Sequence, residues 1–182
     1  MLNLRLCSLE DIKPRYVQLV LEWRNQKQIR EMMFNSNIIQ LDEHRKWIES
    51  LDQGDKIAKV FCYNGLPMGV IQFTYLNREA NIGEWGFYIG NSQAPKGMGT
   101  LLGFTAINFL FNDLKLRKLC AEVLSFNKIS LSFHQKLGFS KDGVLRQHVL
   151  KKGDFYDVHI FSMFKNEWEN HKEQIKQQLE EK

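Results

Sequence analysis

Between Phe87 and Phe111 an apolar strand-like run passes through Pro95-Lys96-Gly97-Met98-Gly99-Thr100 into a long apolar helical run, and this stretch constrains the fold more than any other. Two glycines one residue apart at a helix start leave backbone N–H groups uncovered, where the helix dipole also favours negative charge. The stretch is therefore expected to cradle an anion. Donors are expected from the N–H groups of Gly97, Met98, Gly99 and Thr100, with a hydroxyl from Thr100 and a cation from Lys96; Pro95 has no N–H. The same pattern also suits a plain tight connection. No Gly-Lys-Ser/Thr follows a four-residue gap after a glycine, so no Walker loop is present. Gly97, Gly99 and Gly103 read GxGxxxG, and six residues separate Gly97 from the strand end at Gly90. That fits a dinucleotide fingerprint poorly, although Glu122 stands where a ribose-binding acid would be wanted.

The 182 residues, 43% hydrophobic, suffice for one packed core. Residues 1–165 are read as a single domain and 166–182 as a polar C-terminal helix with Glu169/Lys172 and Glu173/Lys176 pairs. The net charge of +4 comes from dispersed lysines and arginines, which argues against a nucleic-acid partner. No window approaches 18 apolar residues, and Met1 to Arg5 alternates where a leader would be basic and then apolar. The expectation is a soluble cytoplasmic protein without a membrane partner. Cys7, Cys62 and Cys120 lack metal-type spacing and read as buried free thiols, so no metal site is expected.

Leu2, Leu4 and Leu6 alternate as in a half-buried strand, and Pro14 opens a helix carried by Tyr16, Val20 and Trp23. Gln26 to Met33 continues as a short helical piece. Asp42 is read as the cap of a helix with His44, Trp47, Ile48 and Leu51 at helical spacing, ended by Gln53-Gly54-Asp55. Strands are predicted at Ala58–Tyr63, Met68–Leu76 and Ile82–Ile89, split by Asn64-Gly65 and Asn77-Arg78-Glu79. The glycine-led helix and a strand at Leu119–Leu124 complete a crossover. A helix over Asn127–Leu137, with Ile129, Phe133 and Leu137 inward, stops at Gly138. Strands at Val144–Leu150 and Phe155–Phe164 flank the hairpin turn Lys151-Lys152-Gly153-Asp154. The predicted layout is mixed α/β on a largely antiparallel sheet with one parallel crossover.

This order, with the Gly-x-Gly turn and Asn127…Lys136-Leu137-Gly138-Phe139, resembles the GNAT superfamily of acetyl-CoA-dependent acetyltransferases over nearly the whole chain. The resemblance implies a mostly antiparallel seven-stranded sheet flanked by helices, and acetyl-CoA as donor. Within the superfamily, Trp23-Arg24-Asn25, Arg30, Met33, His44, Trp47 and Ala94-Pro95-Lys96-Gly97-Met98-Gly99 resemble the N-acetyltransferases of the pseudaminic acid pathway. Those act on the amine of UDP-4-amino-4,6-dideoxy-N-acetyl-β-L-altrosamine, whose product feeds a nonulosonic acid used in flagellin glycosylation. The ribosomal-protein N-terminal acetyltransferases share the Trp-Arg-Asn start. Two positions depart from the superfamily pattern: Ala94 stands where a Gln or Arg is usual, and His134 where the general-acid tyrosine is usual.

Acyl transfer to an amine needs a neutral amine, a stabilised oxyanion and a leaving thiolate. Glu84 occupies the position of the superfamily's base. By alternation it shares a face with Tyr88, with Gly86 between them read as a bulge; the alternative is a solvated edge carboxylate. His134 is the candidate acid or water holder, since a thiol of pKa ~8.5 leaves with little help; the alternative is a polar residue bonded to backbone beside Phe133. For the cofactor, the resemblance implies backbone pairing at Phe87, Tyr88 and Ile89, the loop from Lys96 to Thr100, Asn127 and Lys136; Asn127 suits a helix cap equally. Trp23, Arg24, Arg30, His44 and Trp47 are the acceptor candidates, arginine for a diphosphate and tryptophan for uracil, with core packing the alternative for each tryptophan. Two other readings stay open, an N-terminal acetyltransferase and a non-catalytic acyl-CoA-binding module. A second copy, reached through the polar C-terminal helix, is the partner chain considered.

Overall fold

The computed structural model describes residues 2–12, 14–51 and 54–180. In order they form β1 (Cys7–Asp11), α1 (Pro14–Asn25), α2 (Lys27–Arg30), α3 (Leu41–Leu51), β2 (Lys56–Tyr63), β3 (Leu66–Asn77), β4 (Ile82–Ile89), α4 (Met98–Asn108), β5 (Lys118–Leu124), α5 (Lys128–Lys136), β6 (Ser140–Lys151), β7 (Asp154–Phe164) and α6 (Lys165–Glu180). The strands make one seven-stranded sheet in the order β1-β2-β3-β4-β5-β7-β6. Every neighbouring pair is antiparallel except β4 and β5, which α4 joins as a crossover. The mixed, mostly antiparallel sheet expected from the sequence is the one observed.

Local chemistry sets the turns. Asn64 and Gly65, at φ 51° and 73°, close β2 onto β3, and Lys152 and Gly153, at 52° and 90°, close β6 onto β7. Left-handed backbone at both central residues matches the twist of two paired strands, which is why Asn-Gly and Lys-Gly stand there. Gly138, at φ 90°, ends α5 as expected.

Four expectations are corrected. Leu2 to Leu6 is not a strand: the Asn3 side chain accepts from Arg5 N–H at 2.9 Å, winding Leu4–Leu6 into a 3₁₀ turn, and β1 starts only at Cys7. Leu2 and Leu4 still pack on the core, which explains their apolar alternation. Asp42 is not a cap but lies in the first turn of α3, because His44 N–H already bonds Gln40 O. Ile129 points outward from α5 and is 86% exposed. The C-terminal helix is not polar all round: Trp168, Ile175 and Leu179 are buried, and Trp168 Nε1–H donates to Asn108 Oδ1 of α4 at 2.9 Å. Cys62 is buried, whereas Cys7 and Cys120 are half-buried; all three are free thiols. Met1, Gln53 and Lys182, which entered the sequence readings, lie outside the described residues.

Each sheet face has its own helix layer. On one, Met98, Leu101, Leu102, Ile107 and Leu110 meet Phe73, Trp85, Phe161 and Trp168; α5 adds Leu137 and Phe133. On the other, Tyr16, Val20, Trp23 and Ile29 from α1 and α2 cover Val60, Val70 and Tyr88. No helix among the described residues is long and apolar enough to cross a membrane.

The fit of α4 against α5 turns on Gly103. A Cβ there would lie 2.8 Å from both Leu137 Cδ1 and Phe133 Cζ. Alanine in a helix interior ordinarily gains about 1 kcal/mol over glycine. At Gly103 the overpacking term, typically about 1–3 kcal/mol, outweighs it. Gly103→Ala is expected to lower the urea-unfolding free energy by about 1 kcal/mol; a gain in stability would refute this packing account.

Candidate active site

The site begins where β4 and β5 stop pairing. They share three register pairs, Ile82/Lys118, Gly83/Leu119 and Glu84/Cys120, and then diverge. Beyond Glu84, β4 stays bonded to β3 as far as Ile89, so its other edge has no strand partner among the described residues. A cleft of about 810 Å³ opens in this fork, walled by β4, β5, the start of α5 and the segment after α2. The fork comes from strand divergence and not from the expected bulge, since Gly86 stays in regular register with Gln72. A Cβ on Gly86 would meet nothing within 4 Å, so the glycine faces open space.

At one end of the cleft lies the glycine loop. Gly97 is left-handed, at φ 97°, and precedes the first residue of α4. Met98 N–H bonds Pro95 O at 3.2 Å and Thr100 N–H bonds Gly97 O at 3.0 Å, so those two amides are committed within the loop. The amides of Gly97 and Gly99 have no such partner among the described residues, and Gly99 lines the cleft. The expected set of four donors is thereby reduced to these two glycines. The Met98 side chain is buried, and Lys96 is exposed at the loop's rim. Asn127 both caps α5, its Oδ1 accepting from Ser130 N–H at 3.1 Å, and lines the cleft. Lys136, in the last turn of α5, does not line it.

Glu84 and Tyr88 lie in the wall of the cleft, on the sheet face that α1 covers. Burial, and secondly the nearby Glu122 carboxylate, push the Glu84 carboxyl above its ordinary range. A raised carboxyl at the fork holds a proton more readily than a solvated one. Burial also raises the Tyr88 phenol, whose hydroxyl is buried without a hydrogen-bond partner among the described residues.

His134 is 3% exposed and ringed by Trp85, Phe87, Phe133, Phe139 and Phe161. Its Nδ1 lies 2.8 Å from the Ser130 carbonyl, which can only accept, so Nδ1 carries the proton and Nε2 the lone pair. Burial pushes the imidazole down to about 4, the backbone bond opposing only in part. His134 is thus neutral at pH 7 and its Nε2 is an acceptor, in place of the candidate acid expected from sequence.

The acceptor candidates lie behind the wall and not in it. Trp23 is buried beneath Gly90, where a Cβ would come within 2.2 Å of its ring. His44 Nε2–H donates to Val17 O at 2.9 Å and stacks on Trp47 at 5.3 Å, joining α3 to α1. Arg24 donates to Asn35 O at 2.7 Å and Arg30 to Ser36 O at 2.9 Å, so both arginines brace one loop. The residues that do line this side, Gln28, Met32, Met33 and Phe34, were not among the acceptor candidates read from sequence, Met33 having entered only as part of the resemblance. Their signal was an apolar trio in a polar surrounding, and Met32 and Phe34 are indeed 42% and 46% exposed.

Residues 9–160 match the family model described as an acetyltransferase (GNAT) domain. The chain belongs to the GNAT acetyltransferase family. It is 32% identical over 132 residues to the SPbeta prophage-derived uncharacterized N-acetyltransferase YokL of Bacillus subtilis strain 168, covering 70% of this chain and 73% of that one. It is 27% identical over 139 residues to acetyltransferase PseH of Campylobacter jejuni, covering 75% and 85%. The crystal structure of spermidine N-acetyltransferase from Vibrio cholerae, in complex with CoA and spermine, superposes with a TM-score of 0.84 at 17% identity, over 91% of this chain and 99% of that one. As a GNAT acetyltransferase the chain is an acetyl-CoA-dependent enzyme.

The tautomer of His134 leaves a mark on stability. The unfolded ring titrates near ~6.5 and the folded one near 4, so the unfolded state binds more protons between these values. Stability is therefore whole above pH ~6.5 and drains as pH falls toward 4. Between pH 7 and pH 5 the His134 contribution is about 2 kcal/mol. Urea unfolding of His134→Phe is expected to lose less stability than the parent by about that amount over this interval; equal slopes would show that the ring is not held neutral.

Proposed function

We propose that this acetyltransferase transfers acetyl to the primary amine of an amino-sugar nucleotide, UDP-4-amino-4,6-dideoxy-N-acetyl-β-L-altrosamine, with Glu84 as the base. The observation that carries amine acetylation is the Glu84 carboxyl, raised by burial and set at the fork beside open space over Gly86. The acceptor's identity is supported by the resemblance to pseudaminic-pathway enzymes and by the likeness to PseH.

Acetyl-CoA, when bound, supplies an electrophilic thioester carbonyl and a thiol leaving group. Toward it the chain offers the unpaired edge of β4, where backbone of Phe87, Tyr88 and Ile89 can pair with an extended amide arm. Gly97 and Gly99 amides, with the Thr100 hydroxyl and Lys96 at the rim, suit diphosphate oxygens at the positive end of α4. The Asn127 side-chain amide, its oxygen spent on the cap, retains N–H donors toward the same wall. Lys136 takes no part in this reading.

Glu84 removes a proton from the acceptor amine and holds it, which its raised affinity favours. His134 is assigned no proton donation: its Nε2 carries only a lone pair and its one proton, on Nδ1, is committed to Ser130 O. None is needed, because a thiol of pKa ~8.5 departs readily as thiolate. On the acceptor side, Phe34 and Phe126 offer planar faces to a base, and Gln28 a polar contact. Arg24 and Arg30 shape this wall through the loop they brace, with Trp23, His44 and Trp47 as its backing.

Incubation with acetyl-CoA and the 4-amino sugar nucleotide, followed by thiol release and product mass, is expected to show a gain of one acetyl group. Transfer instead to N-terminal peptides or polyamines would overturn the acceptor, and CoA binding without transfer to any amine would favour a non-catalytic module. Glu84→Gln is expected to lower kcat by about 100-fold and to remove the acidic limb of the pH profile. Gly86→Ala meets no neighbour, so it is expected to leave Tm unchanged while cutting kcat/KM by about tenfold through the space it fills.

A further inference from the structure

Glu122 sits across the fork from Glu84 and has no part in the proposed transfer. The last paired rung is Glu84/Cys120, and alternation along β5 returns Glu122 to the same face as Cys120, since Ala121 and Val123 turn into the core. Both glutamates line the cleft. Neither has a hydrogen bond or an ion pair among the described residues, although lysines and arginines elsewhere on this chain pair freely. Two residues past that rung on β4 comes Gly86, with nothing within 4 Å of where its Cβ would be. Two unpaired carboxylates thus face one unfilled space.

A second observation marks this wall as one built for a ligand. Tyr88, two residues beyond Gly86 on the same face, is 7% exposed and lines the cleft, yet its hydroxyl has no partner among the described residues. A nitrogen of Arg24, close enough to act electrostatically on Tyr88, is likewise buried and unpartnered. Buried donors left open are costly, so they signal a polar group that arrives from outside.

We propose that Glu122 is a positioning residue that binds the acceptor as its ammonium ion, holding the nitrogen over Gly86 so that Glu84 takes its proton. This rests on the reading of Glu84 as base, and it extends that reading to the class of acceptor: an amine that enters charged, on a molecule whose other end presents a hydrogen-bond acceptor toward Tyr88. Free primary amines are mostly protonated at neutral pH, so an enzyme acting on them gains by binding the abundant form and deprotonating it in place. The groups facing Glu84 are Glu122 and Cys120 from β5 and the neutral Gln72 and Thr74 from β3; the neutral His134 lines the cleft from the other sheet face, and Lys128 lines it further along. Of these, Glu122 is the charge that opposes ionisation of Glu84.

The test compares parent, Glu122→Gln and Glu84→Gln proteins labelled with carboxyl-¹³C glutamate. The Glu84 resonance is the one missing from Glu84→Gln. In Glu122→Gln its titration midpoint is expected to fall by about half a pH unit or more as the like charge is removed. With whichever amine the enzyme accepts, KM is expected to rise about fivefold or more with kcat changed less than about twofold, and the acidic limb of kcat/KM to move to lower pH. An unmoved Glu84 midpoint overturns the pairing. A moved midpoint with unchanged KM overturns ammonium binding by Glu122. The NMR arm needs no acceptor, so rejection of the sugar nucleotide would leave it decisive. Glu122 is exposed, and an unchanged Tm separates either result from misfolding.

Discussion

Three rungs of parallel pairing between β4 and β5, followed by divergence, are the constraint on which the remaining architecture depends. Parallel strands need a crossover, and α4 supplies it, so the helix that starts at the glycine loop is also the helix that fills the sheet's larger core. Had the two strands paired to their ends, the backbone of Phe87 to Ile89 would be spent on β5 and the cleft would close. The gap is kept open by packing on both sides: β4 stays bonded to β3, and β5 to β7 along its whole length. Each strand is held by its outer neighbour, which leaves the inner edges unpaired without loosening the sheet.

That arrangement divides labour between the two faces. The face bearing α4, α5 and α6 is dense and aromatic around Trp85, Phe139 and Phe161, and it buries His134 as a neutral ring. The other face carries the carboxylates Glu84 and Glu122 and the Tyr88 hydroxyl, all under the lighter cover of α1 and α2. The position of His134 in the aromatic layer explains why it is a poor proton donor. A desolvated imidazole resists charge, and its one proton is drawn to a helix carbonyl. The sulfur of a thioester needs little help to leave, so the proposed reaction needs no acid at this position.

Much of the frame was legible because it is written in local chemistry. Asn64-Gly65 and Lys152-Gly153 announce hairpins, Gly138 a helix end and Gly97 a loop, since each sits in backbone that other residues adopt at a cost. Interactions distant in sequence were not legible. Leu2 and Leu4 alternate like a strand because they cover the core edge, but Asn3 turns the chain first. The seam of Trp168, Ile175 and Leu179 is sparse amid charge and reads as a polar helix until α4 is seen beneath it. Glu84 was placed through superfamily resemblance, whereas Glu122 acquires meaning only when a parallel register sets it two residues past Cys120. Trp23 and His44 have the residue types of a binding site, yet their packing partners, Gly90 and Val17 O, make them framework.

The acceptor wall draws on both ends of the chain, which bears on how such a fold changes its amine. The segment after α2 is braced from beneath by Arg24 and Arg30 and gripped from the far side by the β6–β7 hairpin. Lys151 donates to Glu31 O at 3.0 Å and to Met33 O, and Lys152 pairs with Glu31 at 2.8 Å. The Lys151 ammonium is partly desolvated there, which weakens its hold on its proton and strengthens each carbonyl contact it makes. Met32, Met33 and Phe34 therefore stand on a loop fixed by backbone carbonyls, so their side chains are free to vary without loss of its shape. The proposed donor side depends on strand edge and loop amides, contacts that do not depend on side-chain identity. On the reading proposed above, acceptor choice rests on Gln28 of α2, three side chains on a clamped loop and two carboxylates at a strand fork.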